Sequence, residues 1–129
     1  MEHCICGKSK SFVDCCGPFL AGTKQAKTPE QLMRSRYAAY ALGGYGDYLI
    51  ATWLPASAYG LTAAELSEKT MDWQRLDVVT SSQKGDHGVV EFNAYYRVSP
   101  ESDDMECMHE MSEFSRINGR WLYVGARAD

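Results

Sequence analysis

Four of the five cysteines fall within thirteen residues, as Cys4-Ile5-Cys6 and the adjacent pair Cys15-Cys16. Nothing else in the chain constrains its folding so tightly. Thiolates at this spacing converge on one tetrahedral ion, and Zn²⁺ with four sulfur ligands is the usual occupant of such a closed site. A disulfide framework is the rival reading, and it requires an oxidising compartment. Met1-Glu2-His3-Cys4 runs into the cysteines with no apolar leader or cleavage site, so the expected location is the cytoplasm, where thiols stay reduced. Neighbouring cysteines also meet disulfide geometry only with strain. The expectation is one Zn²⁺ per chain on Cys4, Cys6, Cys15 and Cys16. It is structural rather than catalytic, because four thiolates leave no open position for water. Cys107, amid Met105 and Met108, reads as a small apolar strand residue of the kind commonly buried.

At 129 residues the chain is long enough for one domain with its own core. No apolar run approaches the roughly 20 residues that cross a bilayer. A formal net charge of −4 disfavours sequence-independent nucleic-acid binding, which rests on cations. The charge is uneven: residues 1–36 hold six basic and three acidic groups, the remainder seven basic and fourteen acidic. Four thiolates around one Zn²⁺ leave a local charge of about −2, which Lys8 and Lys10 offset.

Punctuation in the sequence divides the chain into a cysteine knuckle with its connector, residues 1–27, and a body, residues 28–129. Gly17-Pro18 closes the knuckle. Thr28-Pro29-Glu30-Gln31 is a helix start, with Thr as N-cap, Pro at the first helical position and Gln three residues after the cap. Met33, Tyr37, Tyr40 and Ala41 recur at helical spacing until Gly43-Gly44. A second helix is expected from Asp47 to Trp53-Leu54, before Pro55, and a third behind the capping box Thr62-Ala63-Ala64-Glu65. From Trp73 the period changes to alternation. Gln74, Leu76, Val78 and Thr80 are predicted on one face of a first strand, and Val90, Phe92, Ala94, Tyr96 and Val98 on one face of a second. Met105 to Ile117 and Arg120 to Ala126 complete the set, joined by Asn118-Gly119, the strongest two-residue hairpin signal. Helices first and hairpin-linked strands afterward imply an α+β fold, three helices packed on a curved four-stranded antiparallel sheet.

A type I′ turn at Asn118-Gly119 pairs Ile117 with Arg120, Arg116 with Trp121, Phe114 with Tyr123 and Ser112 with Gly125. Glu110, Ser112, Phe114, Trp121 and Tyr123 then share one face, and His109, Met111, Glu113, Leu122 and Val124 the other. Large aromatics beside a carboxylate and a hydroxyl suit the lining of a partly polar cavity. The plainer alternative is a covered aromatic core in which Glu110 pairs with a helix arginine such as Arg36. The candidate pocket residues are Arg36, Tyr37, Tyr40 and Trp53 from the helical half, with Phe92, Glu110, Ser112, Phe114, Trp121 and Tyr123 from the sheet.

Cys4-Ile5-Cys6-Gly7, Phe12 and Cys15-Cys16-Gly17-Pro18 resemble the SEC-C zinc motif, which also occurs at the tail of the preprotein translocase ATPase. Lys8-Ser9-Lys10 departs from the usual serine-glycine pattern between the cysteine pairs and leaves the four ligands intact. Leu32-Met33-Arg34-Ser35-Arg36-Tyr37-Ala38-Ala39-Tyr40, Asp47-Tyr48-Leu49, Glu110-Met111-Ser112-Glu113-Phe114 and Gly119-Arg120-Trp121 resemble the YchJ-like family of small bacterial proteins. The resemblance implies a zinc ion and a cone-shaped body like that of nuclear transport factor two; it implies no reaction.

Two function classes follow. In the first, the chain is a non-catalytic adaptor whose zinc knuckle, or the adjoining Arg34-Arg36 segment, contacts a protein partner, as a knuckle of this kind does in the translocase. In the second, the cone holds a small-molecule ligand and acts as an isomerase-, hydratase- or hydrolase-like enzyme with Glu110 in the pocket. Fold analogy alone carries the second. The sequence contains no phosphate-cradling glycine loop and no nucleophile motif, and the adaptor is the expectation.

Overall fold

The computed structural model describes residues 3–127. A 3-10 turn (Phe12–Asp14) precedes four helices, α1 (Gly17–Leu20), α2 (Pro29–Leu42), α3 (Gly46–Ala51) and α4 (Ala63–Ser67). Four strands follow, β1 (Asp72–Lys84), β2 (His87–Arg97), β3 (Met105–Ile117) and β4 (Arg120–Ala126). The helices α2, α3 and α4 are the three that the sequence predicts; α1 is an extra turn inside the cysteine segment.

Local chemistry sets the helix boundaries. The Thr28 hydroxyl accepts from the Gln31 amide at 3.1 Å, Pro29 opens α2, and Gly43 ends it at φ 77°. The Gln31 side chain accepts from the Lys27 amide at 2.8 Å, so the reciprocal arm of the capping box lands one residue earlier than its usual position. Thr62 caps α4 through the Glu65 amide. Helix α3 stops short of the predicted Trp53-Leu54 because that segment leaves to pair with β4. The Tyr123 amide donates to the Thr52 carbonyl and the Leu54 amide to the Tyr123 carbonyl, each at 2.8 Å.

The strands form one antiparallel sheet in the order β1-β2-β3-β4. Three details correct the predicted phases. In β1 the register slips between Trp73 and Arg75 and again between Val78 and Thr80. Gln74 is therefore a bulge residue left exposed, and Trp73 turns inward in its place. In β2, Val90, Phe92 and Ala94 are buried as alternation predicts, but Val98 lies past the strand end, 54% exposed. At the hairpin, Asn118 (φ 52°) and Gly119 (φ 80°) both take the left-handed conformation of a type I′ turn. Ile117–Arg120, Arg116–Trp121 and Phe114–Tyr123 pair as expected. A bulge at Val124 then gives Ser112 the partner Ala126 in place of Gly125. Cys107 sits on β3 but is exposed, on the side of the sheet away from the helices, and is not the buried residue expected there.

Two packed clusters meet on α2. Its Leu32, Met33, Tyr37 and Ala41 pack on Leu76, Val90, Phe92, Phe114 and Trp121 of the sheet. Its Ala38 and Ala39 pack with Leu49 of α3 on the buried Cys4, Cys6 and Cys16 of the knuckle. A helix buried on both flanks needs small residues on one of them, and the Ala-Ala pair supplies the close approach. Although the sequence divides at residue 27, packing is continuous across that point.

Candidate functional site

The cysteine segment folds around its own backbone bonds. The Cys4 amide donates to the Lys10 carbonyl at 2.7 Å, and the Gly7 amide to the Cys4 carbonyl at 3.0 Å. Gly7 turns at φ 95°, so close to β1 that a Cβ would sit 3.1 Å from the Leu76 carbonyl oxygen. The 3-10 turn and α1 bring Cys15 and Cys16 back to face Cys4 and Cys6. Arg34 fixes the loop to α2. Its Nη1 donates to the Cys6 carbonyl at 2.7 Å and its Nε to Glu30 at 2.8 Å, with Lys8 adding a longer pair to Glu30 at 3.9 Å.

All four sulfurs lie within 4.8 Å of one another, and Cys6 Sγ is 3.6 Å from Cys15 Sγ. A disulfide has its sulfurs at about 2.05 Å, and all four thiols are free. A tetrahedral ion with M–S bonds of about 2.3 Å places its ligands roughly 3.8 Å apart, which this cluster fits. Without a cation the thiols compete for charge. A hydrogen bond from Cys16 brings Cys6 down to about 5, whereas burial pushes Cys15 up to about 12. Donation to Cys6 raises Cys16 further. A divalent ion at the centre favours four thiolates at once and removes this competition. The four cysteines are thus positioned to bind one metal ion in a closed shell.

A second site lies on the other flank of α2. Met33, Arg36, Tyr37 and Tyr40, spaced i, i+3, i+4 and i+7, line a cavity of about 240 Å³ between helix and sheet. Trp53 enters from the segment after α3, held by its pairing with β4. Phe92, Ala94 and Trp73 come from the first two strands, and Met108, Glu110, Ser112, Phe114 and Tyr123 from the last two.

Nine of the ten pocket residues named from sequence line this space, and Trp121 does not. It is 3% exposed, donates its Nε1 to the Lys27 carbonyl at 3.3 Å, and packs where α2 begins. There it borders a different hollow of about 300 Å³ beside α1 and α3. Met33, Trp73, Ala94 and Met108 line it as well and are not among those ten. Helical spacing to Tyr37 would have found Met33, and alternation with Phe92 and Glu110 would have found Ala94 and Met108. Only the bulge at Gln74 reveals Trp73.

Arg36 dominates the electrostatics. It is 5% exposed; its Nη1 donates to the Leu49 carbonyl at 2.8 Å and to Thr52 Oγ1 at 2.7 Å. Its guanidinium carbon lies 4.8 Å from the Trp53 ring centre and 4.7 Å from that of Tyr123. Burial lowers the Arg36 pKa, and the neighbouring Tyr40, Tyr123 and Tyr48 oppose that shift. Among the described residues its Nη2 is buried without a hydrogen-bond partner, as are Tyr37 Oη and Trp53 Nε1.

The pairing of Arg36 with Glu110 that the sequence suggested is absent: among the described residues no ion pair joins them. Glu110 Oε2 instead accepts from Ser112 and, at 3.0 Å, from the Tyr123 hydroxyl. Burial is the leading cause, ahead of Glu110, that raises the Tyr123 pKa. His109, one residue away, points to the opposite face, where it meets Glu91 at 2.7 Å.

The absence of that ion pair decides what Glu110→Gln should do. A carboxylate paired with a buried arginine is worth on the order of 1–3 kcal/mol, which its amide would forfeit. Here glutamine can still accept from both hydroxyls. We therefore expect a melting temperature equal to or above that of the parent, because groups not held for stability are tolerated at some cost to the fold. A loss of about 1–3 kcal/mol in chemical denaturation would instead mark Glu110 as a structural partner.

The architecture has known counterparts. A solution structure of a SEC-C motif containing protein from Rhodopseudomonas palustris superposes with a TM-score of 0.87 at 39% identity, covering 99% of each chain. A crystal structure of a SEC-C motif containing protein from Psychrobacter arcticus gives 0.83 at 28% identity, over 100% of this chain and 85% of that one. A putative calcium/calmodulin-dependent protein kinase type II association domain from Thiobacillus denitrificans shares the fold alone, at 16% identity and a TM-score of 0.60. UPF0225 proteins of Sodalis glossinidius and Photorhabdus laumondii are 39% and 40% identical, over 96% and 95% of this chain and 82% and 79% of theirs. Residues 28–126, which include every residue that lines the cavity, match the family described as YchJ, middle NTF2-like domain. The capped helices, the bulged four-stranded sheet and the four-cysteine segment packed against α2 thus have one source: the chain belongs to the YchJ-like family.

Proposed function

We propose that this chain is a zinc protein whose cavity binds a small molecule, with the knuckle bracing the helix that carries the binding groups. The observation that carries the reading is Arg36: a residue 5% exposed, with one guanidinium nitrogen unpartnered and no ion pair to a carboxylate among the described residues. A buried charge without its counter-ion costs several kcal/mol relative to an apolar side chain of similar size. Such a group, on the wall of an aromatic cavity with a second fixed charge across it, is what a ligand site requires. To test this, small aromatic fragments are titrated into the zinc-loaded protein while the Trp53 and Trp73 indole N–H resonances are followed. Binding shifts both, and Ala94→Leu, which fills the space from the sheet side, abolishes the shifts in a protein that remains folded. Silence of both indoles across the fragments at millimolar concentration would end the reading.

An adaptor role is the second reading. Val13, 72% exposed on the 3-10 turn beside the cysteines, favours it as the apolar tip of a protein contact. If Val13→Asp retains its metal and every partner captured by the parent, the knuckle is not a docking surface.

Zinc is the usual occupant of a closed four-thiolate site. Elemental analysis of the reduced protein is expected to give one zinc per chain, retained in Cys107→Ser and lost in Cys6→Ser. Chelation is expected to lower the melting temperature of the body as well as to loosen the first residues, because Cys4, Cys6 and Cys16 share a packed cluster with Ala38, Ala39 and Leu49. An unchanged melting temperature after full metal removal would show that the knuckle does not brace α2.

A further inference from the structure

Within the cavity the two charges are held apart by a single residue. The Tyr123 ring lies under the Arg36 guanidinium, 4.7 Å from its carbon, while the Tyr123 hydroxyl donates to Glu110 Oε2 at 3.0 Å. Cation and carboxylate are therefore about one tyrosine side chain apart. Each keeps part of its hydrogen-bonding capacity. Arg36 Nη2 has no acceptor among the described residues. Both protein donors to Glu110, Ser112 and Tyr123, act on Oε2, which leaves Oε1 without a donor among the described residues. Between these ends the walls are rings, with Trp53 and Phe114 packed against Tyr123 at centroid distances of 5.3 and 5.7 Å.

On the reading that this cavity is a ligand site, we infer that its ligand is a small bifunctional organic acid. A carboxylate at one end accepts from Arg36, an apolar body about one ring long fills the middle, and a hydroxyl or amino group at the other end donates to Glu110. Size points the same way. About 240 Å³ lies below the ~300–1,000 Å³ of drug-sized pockets, which favours a small ligand. The matching is of charge and of donor direction. An anion alone meets repulsion from Glu110, and a cation alone meets it from Arg36. Only a molecule that offers an acceptor to one and a donor to the other satisfies both. Tyr37 and Trp53 also line the cavity, and Tyr37 Oη and Trp53 Nε1 are buried without a partner among the described residues.

A matched series separates this inference from the broader one. The zinc-loaded full chain is titrated with 4-hydroxybenzoate, benzoate, 4-methoxybenzoate and phenol, with binding read from the indole resonances and by calorimetry. We expect 4-hydroxybenzoate to bind at least ten-fold more tightly than each of the others. Glu110→Ala should remove its advantage over benzoate, and Arg36→Gln its advantage over phenol. The comparison of ligands on the unaltered protein stands by itself should Arg36→Gln not fold. Equal affinity for all four, or an advantage that survives Glu110→Ala, overturns the bifunctional ligand and leaves the cavity reading intact. Failure of all four, together with every neutral fragment, overturns both.

Discussion

Both candidate sites in this protein are hung on one helix clamped from two sides. The clamp on the knuckle flank is a charge-assisted bond, Arg34 to the Cys6 carbonyl, backed by sulfur atoms packed on Ala38 and Ala39. On the opposite flank Met33 and Tyr37 press on the sheet. Between the two, Arg36 is sewn to the end of α3 through the Leu49 carbonyl and the Thr52 hydroxyl. Ser35, fully buried, adds a contact to the Tyr48 hydroxyl at 2.6 Å. A helix so held has little freedom to rotate, and rotation by one residue would carry Arg36 out of the cavity. Hydrogen bonds to a charged donor are stronger than neutral ones, which is why two arginines two residues apart can anchor opposite neighbours.

Much of this was readable from residues alone. Thr28-Pro29 and Thr62-Ala63-Ala64-Glu65 mark helix starts because a hydroxyl satisfies an orphan amide locally. Asn118-Gly119 marks the hairpin because few other pairs tolerate two left-handed residues. Four cysteines in thirteen residues predict a metal site because sulfur spacing is short-range geometry. What escaped was set by distant partners. The bulges at Gln74 and Val79 depend on how β1 meets β2, and no local signal encodes them, so alternation alone does not place Trp73 in the cavity that it lines. Trp121 was misplaced for a related reason. Its face of the strand was right, but the face extends past the cavity to the start of α2, where the Lys27 carbonyl captures the indole. Glu110 and Arg36 have opposite charges and face one space, which made a pair the obvious guess. The distance between them is fixed by Tyr123, a matter of packing.

The metal site and the cavity are neighbours through shared side chains. Tyr40 packs against the cysteine cluster on one side and lines the cavity on the other. Any change in the knuckle that moves Ala39 moves Tyr40 with it, since interiors at this packing density transmit displacement instead of absorbing it. Burial raises the Tyr40 pKa, while the Arg36 charge opposes that and Glu110 adds to it. Its hydroxyl thus lies in the fields of both charges.

This arrangement also explains why a four-thiolate ion, which has no open position for chemistry, should be built into a fold that has a core of its own. A buried guanidinium is unfavourable wherever it has room to swing toward water. It persists in one geometry only if the surrounding structure over-determines it. The sheet alone touches α2 on one flank, and α3 contributes a carbonyl and a hydroxyl. The knuckle closes the remaining flank with a loop that an ion on its four cysteines would hold rigid, so that the helix does not roll to release Arg36. On the proposed reading, the metal performs no reaction and binds no substrate. Its contribution is to keep a charged group desolvated and correctly aimed, and that is the preorganisation on which affinity for a small ligand depends.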